Sequence, residues 1–348
     1  MSGEDLYRWG SRGKAACYFR GLTTILARGK TALVARYWLT MDLSNPVLGA
    51  INCMIATCPR CNGASQLKFR VGDINHRITK DKFNYYSCRQ CNLVYLWPIP
   101  LNLSKYYSKQ YYAIPNSIDQ LEIRAEDERY KIDIVRQFAT SGRLLEIGSA
   151  FGSFLLLAKK SGFSVEAIEM DEQCCAFLND VVGIKAFNCQ DPSIVLKDIG
   201  KYNVITLWHV IEHMPDPWTT LDMIAKALLP GGMLIIATPN PNAFQFKILR
   251  RYWPHVDAPR HLELIPLPLI ETHLKPMGLE RLWVTSTDKG SLIWNAFGWE
   301  MFFGNITNLR FVKRRLRKIG RFIGRLLSPL DRMPDRGSAY TAVFRKRQ

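Results

Sequence analysis

One run constrains the chain more than any other: Leu144-Leu145-Glu146-Ile147-Gly148-Ser149-Ala150-Phe151-Gly152-Ser153-Phe154. Its first part reads as a short buried strand. Small residues at 148, 150 and 152 then let the backbone turn sharply and approach a ligand before an apolar helix begins. From Arg143 onward, short apolar strands alternate with helical segments. Strands are expected at 143–147, 164–168, 184–187, 203–207, 233–238, 279–286 and 340–345, and helices near 152–161, 172–181, 218–229 and 267–275. Strand–helix alternation is the pattern of βαβ units, so an α/β fold around a mainly parallel sheet is expected.

A glycine-containing strand–helix turn alone is a weak motif, serving a dinucleotide or a tight corner equally well. Its surroundings are more specific. Glu169 ends the second strand, 21 residues after Gly148, the spacing at which a carboxylate accepts from ribose hydroxyls. The fourth strand runs into Trp208-His209-Val210-Ile211-Glu212-His213-Met214-Pro215-Asp216-Pro217, and Leu228-Leu229-Pro230-Gly231-Gly232 precedes the fifth. In this order and spacing, over roughly 143–282, the sequence resembles the class I S-adenosylmethionine-dependent methyltransferases. The resemblance is to the subgroup similar to ubiquinone-biosynthesis O-methyltransferases.

The resemblance implies a Rossmann-like sheet of seven strands, the last antiparallel, and S-adenosylmethionine as cofactor. It implies that Glu146, Gly148, Ala150 and Gly152 face the methionine moiety and Glu169 the ribose. Asp191, beside Gln190, would lie near the adenine, and Trp208 and His209 would flank the site. Ala150 stands where a glycine is commoner. A Rossmann dehydrogenase is the alternative, and the Gly-x-Gly-x-x-Gly spacing it needs is absent.

Upstream, Cys58-Pro-Arg-Cys61 and Cys88-Arg-Gln-Cys91 form two C-x-x-C knuckles, separated by 26 residues. Four thiolates complete the tetrahedral shell zinc prefers, and a closed four-cysteine site leaves no position open for catalysis. Phe69, Val71, Phe83, Tyr85 and Tyr86 would form short strands on a core too small to fold without the metal. A redox dithiol pair is the alternative. The chain divides into a basic leader at 1–57, a zinc ribbon at 58–100, a helical linker at 101–140 and a methyltransferase domain at 141–348. The leader is expected to be disordered or to lie upstream of the true start, with Met41 and Met54 as internal starts.

His209-Val210-Ile211-Glu212-His213 also matches the H-x-x-E-H pattern of zinc peptidases. That pattern needs a long helix, which Pro215 and Pro217 forbid. Within the methyltransferase reading, His213 is a candidate general base, since imidazole takes a proton near neutral pH. The resembling enzymes also use this neighbourhood to place a divalent cation, and a structural Glu–His pair is an equal alternative. His261 is the second catalytic candidate, on the segment that would pass over the acceptor pocket, with Arg260 expected to orient an anionic substrate group.

The net charge of +17 is concentrated at the end: residues 305–348 carry 13 Lys and Arg against 2 Asp and Glu. Residues 288–338 form an insertion between the last two strands. Trp294, Phe297, Trp299, Phe302 and Phe303 lead it. Leu309, Val312, Leu316, Ile319, Ile323 and Leu326 follow at helical spacing, among arginines and lysines. An apolar stripe, opposing basic residues and aromatic anchors suit an anionic membrane surface, contacted through 309–327. An ordinary amphipathic helix packed on the sheet is the alternative. Nucleic acid is disfavoured as a partner, because the aromatics do not interleave with the basic residues.

The stated expectation is an O-methyltransferase acting on a sugar or phenolic hydroxyl of a small-molecule or lipid-linked glycan acceptor. It would be cytoplasmic and peripheral on the inner face of a membrane. An RNA methyltransferase with zinc-ribbon recognition and a non-catalytic adaptor are the alternatives.

Overall fold

The computed structural model describes residues 56–107 and 112–348; the leader expected at 1–57 lies, but for its last two residues, outside them. The first strands are β1 (Ala56–Thr57), β2 (Ala64–Gly72), β3 (Lys82–Cys88) and β4 (Val94–Leu96), paired in that order and antiparallel. The expected ribbon strands are therefore present, with Phe69 and Val71 on β2 and Phe83, Tyr85 and Tyr86 on β3.

Two short helices follow, α1 (Ile118–Ala125) and α2 (Arg129–Arg136), within the helical linker expected at 101–140. Ser117 caps the first by accepting from the Gln120 amide.

Next come β5 (Gly142–Ile147), α3 (Ser153–Lys160), β6 (Phe163–Glu169), α4 (Glu172–Ala176), β7 (Lys185–Asn188), α5 (Pro192–Val195) and β8 (Tyr202–Trp208). Then α6 (Pro217–Ala227), β9 (Leu228–Pro239), α7 (Phe244–Leu249), β10 (Glu263–Leu264), α8 (Leu267–Leu274) and β11 (Leu279–Thr285) lead into the insertion. The chain closes with α9 (Lys289–Gly304), α10 (Arg310–Asp331) and β12 (Ala339–Lys346).

The large sheet has the order β11-β12-β9-β8-β5-β6-β7. Pairings among β5 to β9 are parallel, while β12 runs antiparallel between β9 and β11. This is the seven-stranded Rossmann-like sheet with an antiparallel last strand that the motifs imply. Its centre is apolar on both faces, as a helix-covered parallel sheet requires: Val204, Ile205, Leu207, Leu234, Ile235 and Ile236 are all fully buried. Aspartates start the crossover helices. Asp171, Asp191 and Asp216 each accept a backbone N–H of the following turn, and prolines at 192 and 217 fix the first helical residue.

Strand β10 does not belong to this sheet. Glu263 and Leu264 pair antiparallel with Tyr95 and Val94, making a fifth strand beside the cysteine hairpin. A third core joins the two parts: Tyr85, Leu96 and Tyr106 pack with Phe246, Trp253, Val256, Leu262 and Trp299.

The insertion is a helical pair. At Gly320, an added Cβ would stand 2.6 Å from the Trp299 carbonyl oxygen, so only glycine lets α10 lie this close to α9. The aromatic residues expected to face outward turn inward instead. Trp299 is 4% exposed and donates its Nε1–H to the buried Asp331 carboxylate, while Phe302 and Phe303 pack against the third core. Ile323 also packs there, whereas Leu309, Val312, Ile319 and Leu326 of the expected stripe are exposed. Among the described residues, no helix is long and apolar enough to cross a membrane.

Candidate active site

The turn after β5 is built on positive-φ backbone. Gly148 and Gly152 adopt φ of 75° and 84°, and Ala150 adopts 48°, a conformation that side-chain-bearing residues seldom take. A Cβ on Gly148 would come within 2.4 Å of Val210, so this turn abuts the loop leaving β8. Glu169 fastens it: one carboxylate oxygen accepts from the Ala150 amide at 2.8 Å, the other from the Asp171 amide at 2.9 Å. Each oxygen keeps a lone pair for a ligand.

Glu146 shares the face of β5 with Leu144, and it is buried. Burial pushes its carboxyl up to about 8, against the pull of the nearby Lys131 ammonium. Its Oε2 has no partner, nor has the buried Nε1 of Trp208, whose ring packs against Phe154 and Tyr130. Asp191 is exposed and accepts from the Ser193 amide at 2.9 Å.

The loop after β8 starts with His209, another non-glycine at positive φ (58°). Its amide donates to Ala237 and its ring lies 4.8 Å from that of Trp294 on α9. Residues 211–213 make a single tight turn, which disposes of the peptidase pattern.

Glu212 is wholly buried. Oε2 accepts from the Thr238 hydroxyl at 2.8 Å, while Oε1 has no hydrogen-bond partner and lies 3.7 Å from His209 Nδ1. Burial works to raise this carboxyl. The His209, His261 and His213 rings outweigh it, so the group stays ionised, at about 2.

His213 and His261 meet edge to face with ring centroids 4.6 Å apart. His213 Nδ1 lies 3.0 Å from the Arg260 carbonyl oxygen and 3.2 Å from the Tyr107 hydroxyl, and His261 Nδ1 lies 2.8 Å from the His255 carbonyl oxygen. A carbonyl can only accept, so each ring carries a proton on Nδ1, and Nε2 is the atom left to accept when the ring is neutral. Burial, followed by the His261 ring, lowers His213 to about 4, leaving it neutral at physiological pH. One donor atom each from Glu212, His213 and His261 lies within 4.8 Å of the others.

Arg260 does not orient a substrate, as was expected. It is fully buried, donates to Asp257 and to Asp73 at 2.7–2.9 Å, and donates to the Tyr106 carbonyl oxygen. A guanidinium so enclosed is a structural tie. Asp73 belongs to the hairpin loop after β2, so this ion pair joins the cysteine hairpin to the histidine loop. Three further contacts do the same. The Tyr85 hydroxyl donates to the His261 carbonyl oxygen at 2.7 Å, Asn75 donates to Pro254 and Asp257, and the Leu96 amide donates to the Leu262 carbonyl oxygen. The Leu262 amide in turn donates to the Glu212 carbonyl oxygen at 2.7 Å.

Trp294, Tyr107 and Thr238 escaped the sequence reading as contributors to this pocket. Thr238 ends a recognised strand and could have been noticed. Trp294 and Tyr107 reach the histidines from distant segments, and no local pattern marks them.

The four cysteines also converge. Sγ of Cys58 is 3.6 Å from that of Cys91, Sγ of Cys61 is 3.4 Å from that of Cys88, and all four sulfurs lie within 4.8 Å of one another. Sulfurs around a tetrahedral ion at about 2.3 Å stand about 3.8 Å apart, so the spacing suits zinc.

A family model described as a methyltransferase domain matches residues 123–282. The chain is similar to the ubiquinone biosynthesis O-methyltransferase of Coxiella burnetii, 29% identical over 114 residues, covering 31% of this chain and 49% of that protein. It is similar also to the protein of the same name from a Caulobacter species, 30% identical over 105 residues, covering 28% and 41%. The chain thus spans about half the length of the curated relatives it matches. A solved structure of a SAM-dependent methyltransferase from Archaeoglobus fulgidus aligns with a TM-score of 0.44 at 17% identity, covering 64% of this chain and 94% of that one. The family match, the sheet order and the glycine turn agree on a methyltransferase domain that includes residues 123–282 and is built on a seven-stranded Rossmann-like sheet.

Proposed function

We propose that the protein transfers a methyl group from S-adenosylmethionine to a hydroxyl oxygen of a small-molecule acceptor. The observation that carries this reading is the buried, unpartnered Oε1 of Glu212 beside two histidines whose Nε2 atoms bear lone pairs. A buried polar atom left without a partner costs free energy that a ligand would recover.

The cofactor fits the residues present. Gly148 and Gly152, both at positive φ, let the turn pack tightly against Val210 and Leu178 with its backbone free of side chains, and Glu169 offers lone pairs for ribose hydroxyls. Glu146 Oε2 and Trp208 Nε1 supply a buried acceptor and a buried donor for the methionine moiety, with His209 flanking it and Asp191 toward the adenine. S-adenosylmethionine supplies an electrophilic methyl group on a sulfonium. The chain's part is to hold an acceptor oxygen in line with that methyl and to take its proton at Nε2 of His213 or His261. Zinc at Cys58, Cys61, Cys88 and Cys91 is a structural ion in this reading.

The relatives' names favour oxygen as the acceptor atom. A phenol on an isoprenoid lipid or a sugar hydroxyl of a lipid-linked glycan suits a protein peripheral on the inner face of a membrane.

A second reading of the same three side chains is favoured by their convergence: a divalent cation held by Glu212, His213 and His261, leaving positions for an acceptor oxygen. Methyl-labelled S-adenosylmethionine, incubated with phenolic and sugar acceptors with and without a chelator, tests both. Label on oxygen, lost in His213→Ala and His261→Ala, supports the proposal. Chelator sensitivity that added Mg²⁺ reverses selects the cation reading. Label appearing only on RNA, or no transfer by protein that binds the cofactor, overturns it in favour of an RNA methyltransferase or an adaptor.

A further inference from the structure

Helix α10 covers the third core with one edge only. Leu316, Ile323 and Leu327 are half-buried and Gly320 is buried against α9. Among the described residues nothing covers the rest of the helix's apolar surface: Phe311 is 66% exposed, Phe322 61% and Leu326 60%, and Ile319 and Leu330 are exposed as well. At 100° per residue these side chains fall within one sector of about a third of the circumference. That sector sits beside the buried edge, not opposite it, so the expected stripe is really two surfaces, one packed and one bare.

Charge borders the bare sector on one side, and Arg315 falls within it. Arg310, Arg314, Arg315, Lys318 and Arg325 are exposed and have no carboxylate partner among the described residues. Arg315 lies over the Phe311 ring at 4.3 Å. Only Arg317 and Arg321 meet an acid, sharing Glu300 of α9. The single acidic residue of α10, Asp331, is buried against Trp299 and Gln245. A folded core has no use for an exposed phenylalanine row bordered by unpaired arginines. An interface that is apolar below and anionic above has a use for both.

We propose that the outward face of α10 docks the protein on an anionic lipid surface, Phe311, Ile319, Phe322 and Leu326 entering the acyl boundary while Arg314, Arg315, Lys318 and Arg325 meet lipid phosphates. This rests on the methyltransferase reading for its purpose, bringing the active site to acceptors held in that surface, but not for its physics. The helix lies in the plane of the interface and does not cross it. Its glycine contacts with α9 keep it parallel to the protein body, so docking needs no refolding.

Sedimentation of the full chain with phosphatidylcholine vesicles, with and without phosphatidylglycerol, tests this while S-adenosylhomocysteine binding is measured on the same preparation. Phe322→Ser with Leu326→Ser removes exposed apolar surface without touching the core. Arg314→Gln, Arg315→Gln, Lys318→Gln and Arg325→Gln remove charge without disturbing Glu300. The wild type is expected to bind the anionic vesicles at least about tenfold more tightly than the neutral ones and to be released by salt. Both variant sets should abolish binding while leaving S-adenosylhomocysteine affinity and melting temperature unchanged. Folded protein that binds S-adenosylhomocysteine and ignores anionic vesicles overturns the docking proposal and leaves the methyltransferase reading standing. So does a stable dimer that dissociates in the Phe322 and Leu326 variant, or tight RNA binding without vesicle binding. Vesicle binding without any S-adenosylhomocysteine binding supports the lipid surface and sinks the methyltransferase reading.

Discussion

Glu169 does two things with one carboxylate. It holds the Ala150 amide, which fixes a non-glycine residue at positive φ, and in the proposed cofactor site its remaining lone pairs would accept from the ribose. Replacing it with alanine should weaken S-adenosylhomocysteine binding by about 1.5–3 kcal/mol, the worth of a charge-assisted hydrogen bond, read by calorimetry. Unchanged affinity would remove Glu169 from the cofactor site.

Glu146 makes a different test. Its carboxyl titrates at about 8 in the fold against an ordinary 4.5. The folded state therefore holds a proton that the unfolded chain has released, and stability falls as pH rises through that window. Glu263, likewise raised to about 8 by burial, acts in the same direction. Burial depresses His213 and His255, which opposes this slope below pH about 7. Between pH about 7 and about 8.5 the melting temperature should decline, and Glu146→Gln should flatten part of that decline. A slope that Glu146→Gln leaves unaltered would contradict the burial argument.

Among the elements, the cysteine hairpin and the histidine loop behave as one. Strand β10 completes the hairpin's sheet, and Asp73, Asn75, Tyr85 and Leu96 grip residues 254–262. Cys88→Ser should release the metal, about one zinc per chain in the wild type by elemental analysis, and disorder the hairpin. Methyl transfer should then collapse while S-adenosylhomocysteine affinity changes little, because the glycine turn makes no contact with the hairpin among the bonds described. Tyr85→Phe, which removes one hydroxyl from the His261 carbonyl, should lower turnover with the fold intact. A metal-free wild type with four reactive thiols would sink the zinc assignment.

The strands were legible because their apolar periodicity is local: each of the seven was expected within a few residues of where it lies, though β9 begins five residues earlier, at Leu228. The tie between the parts was not. Asp73 and Arg260 stand 187 positions apart, and neither carries a local mark of its partner. A two-residue strand such as β10 has no periodicity to read. Helix α10 was legible as a helix, but periodicity could not say which part of a broad apolar stripe α9 would cover.

Taken whole, the molecule sets the cluster of Glu212, His213 and His261, on and beside the loop leaving β8, against a helix pair whose outer helix is basic and partly apolar. Its positive charge gathers in the last 44 residues. Ionic strength should therefore govern association with anionic surfaces while leaving cofactor affinity almost unchanged, since zwitterionic S-adenosylhomocysteine carries no net charge. The central claim is the cofactor, and calorimetric titration of the purified chain with S-adenosylhomocysteine tests it most directly. One site per chain with a micromolar-order dissociation constant, about 8 kcal/mol, is the expected result. No saturable heat with S-adenosylhomocysteine, and saturable binding of NAD in its place, would contradict it.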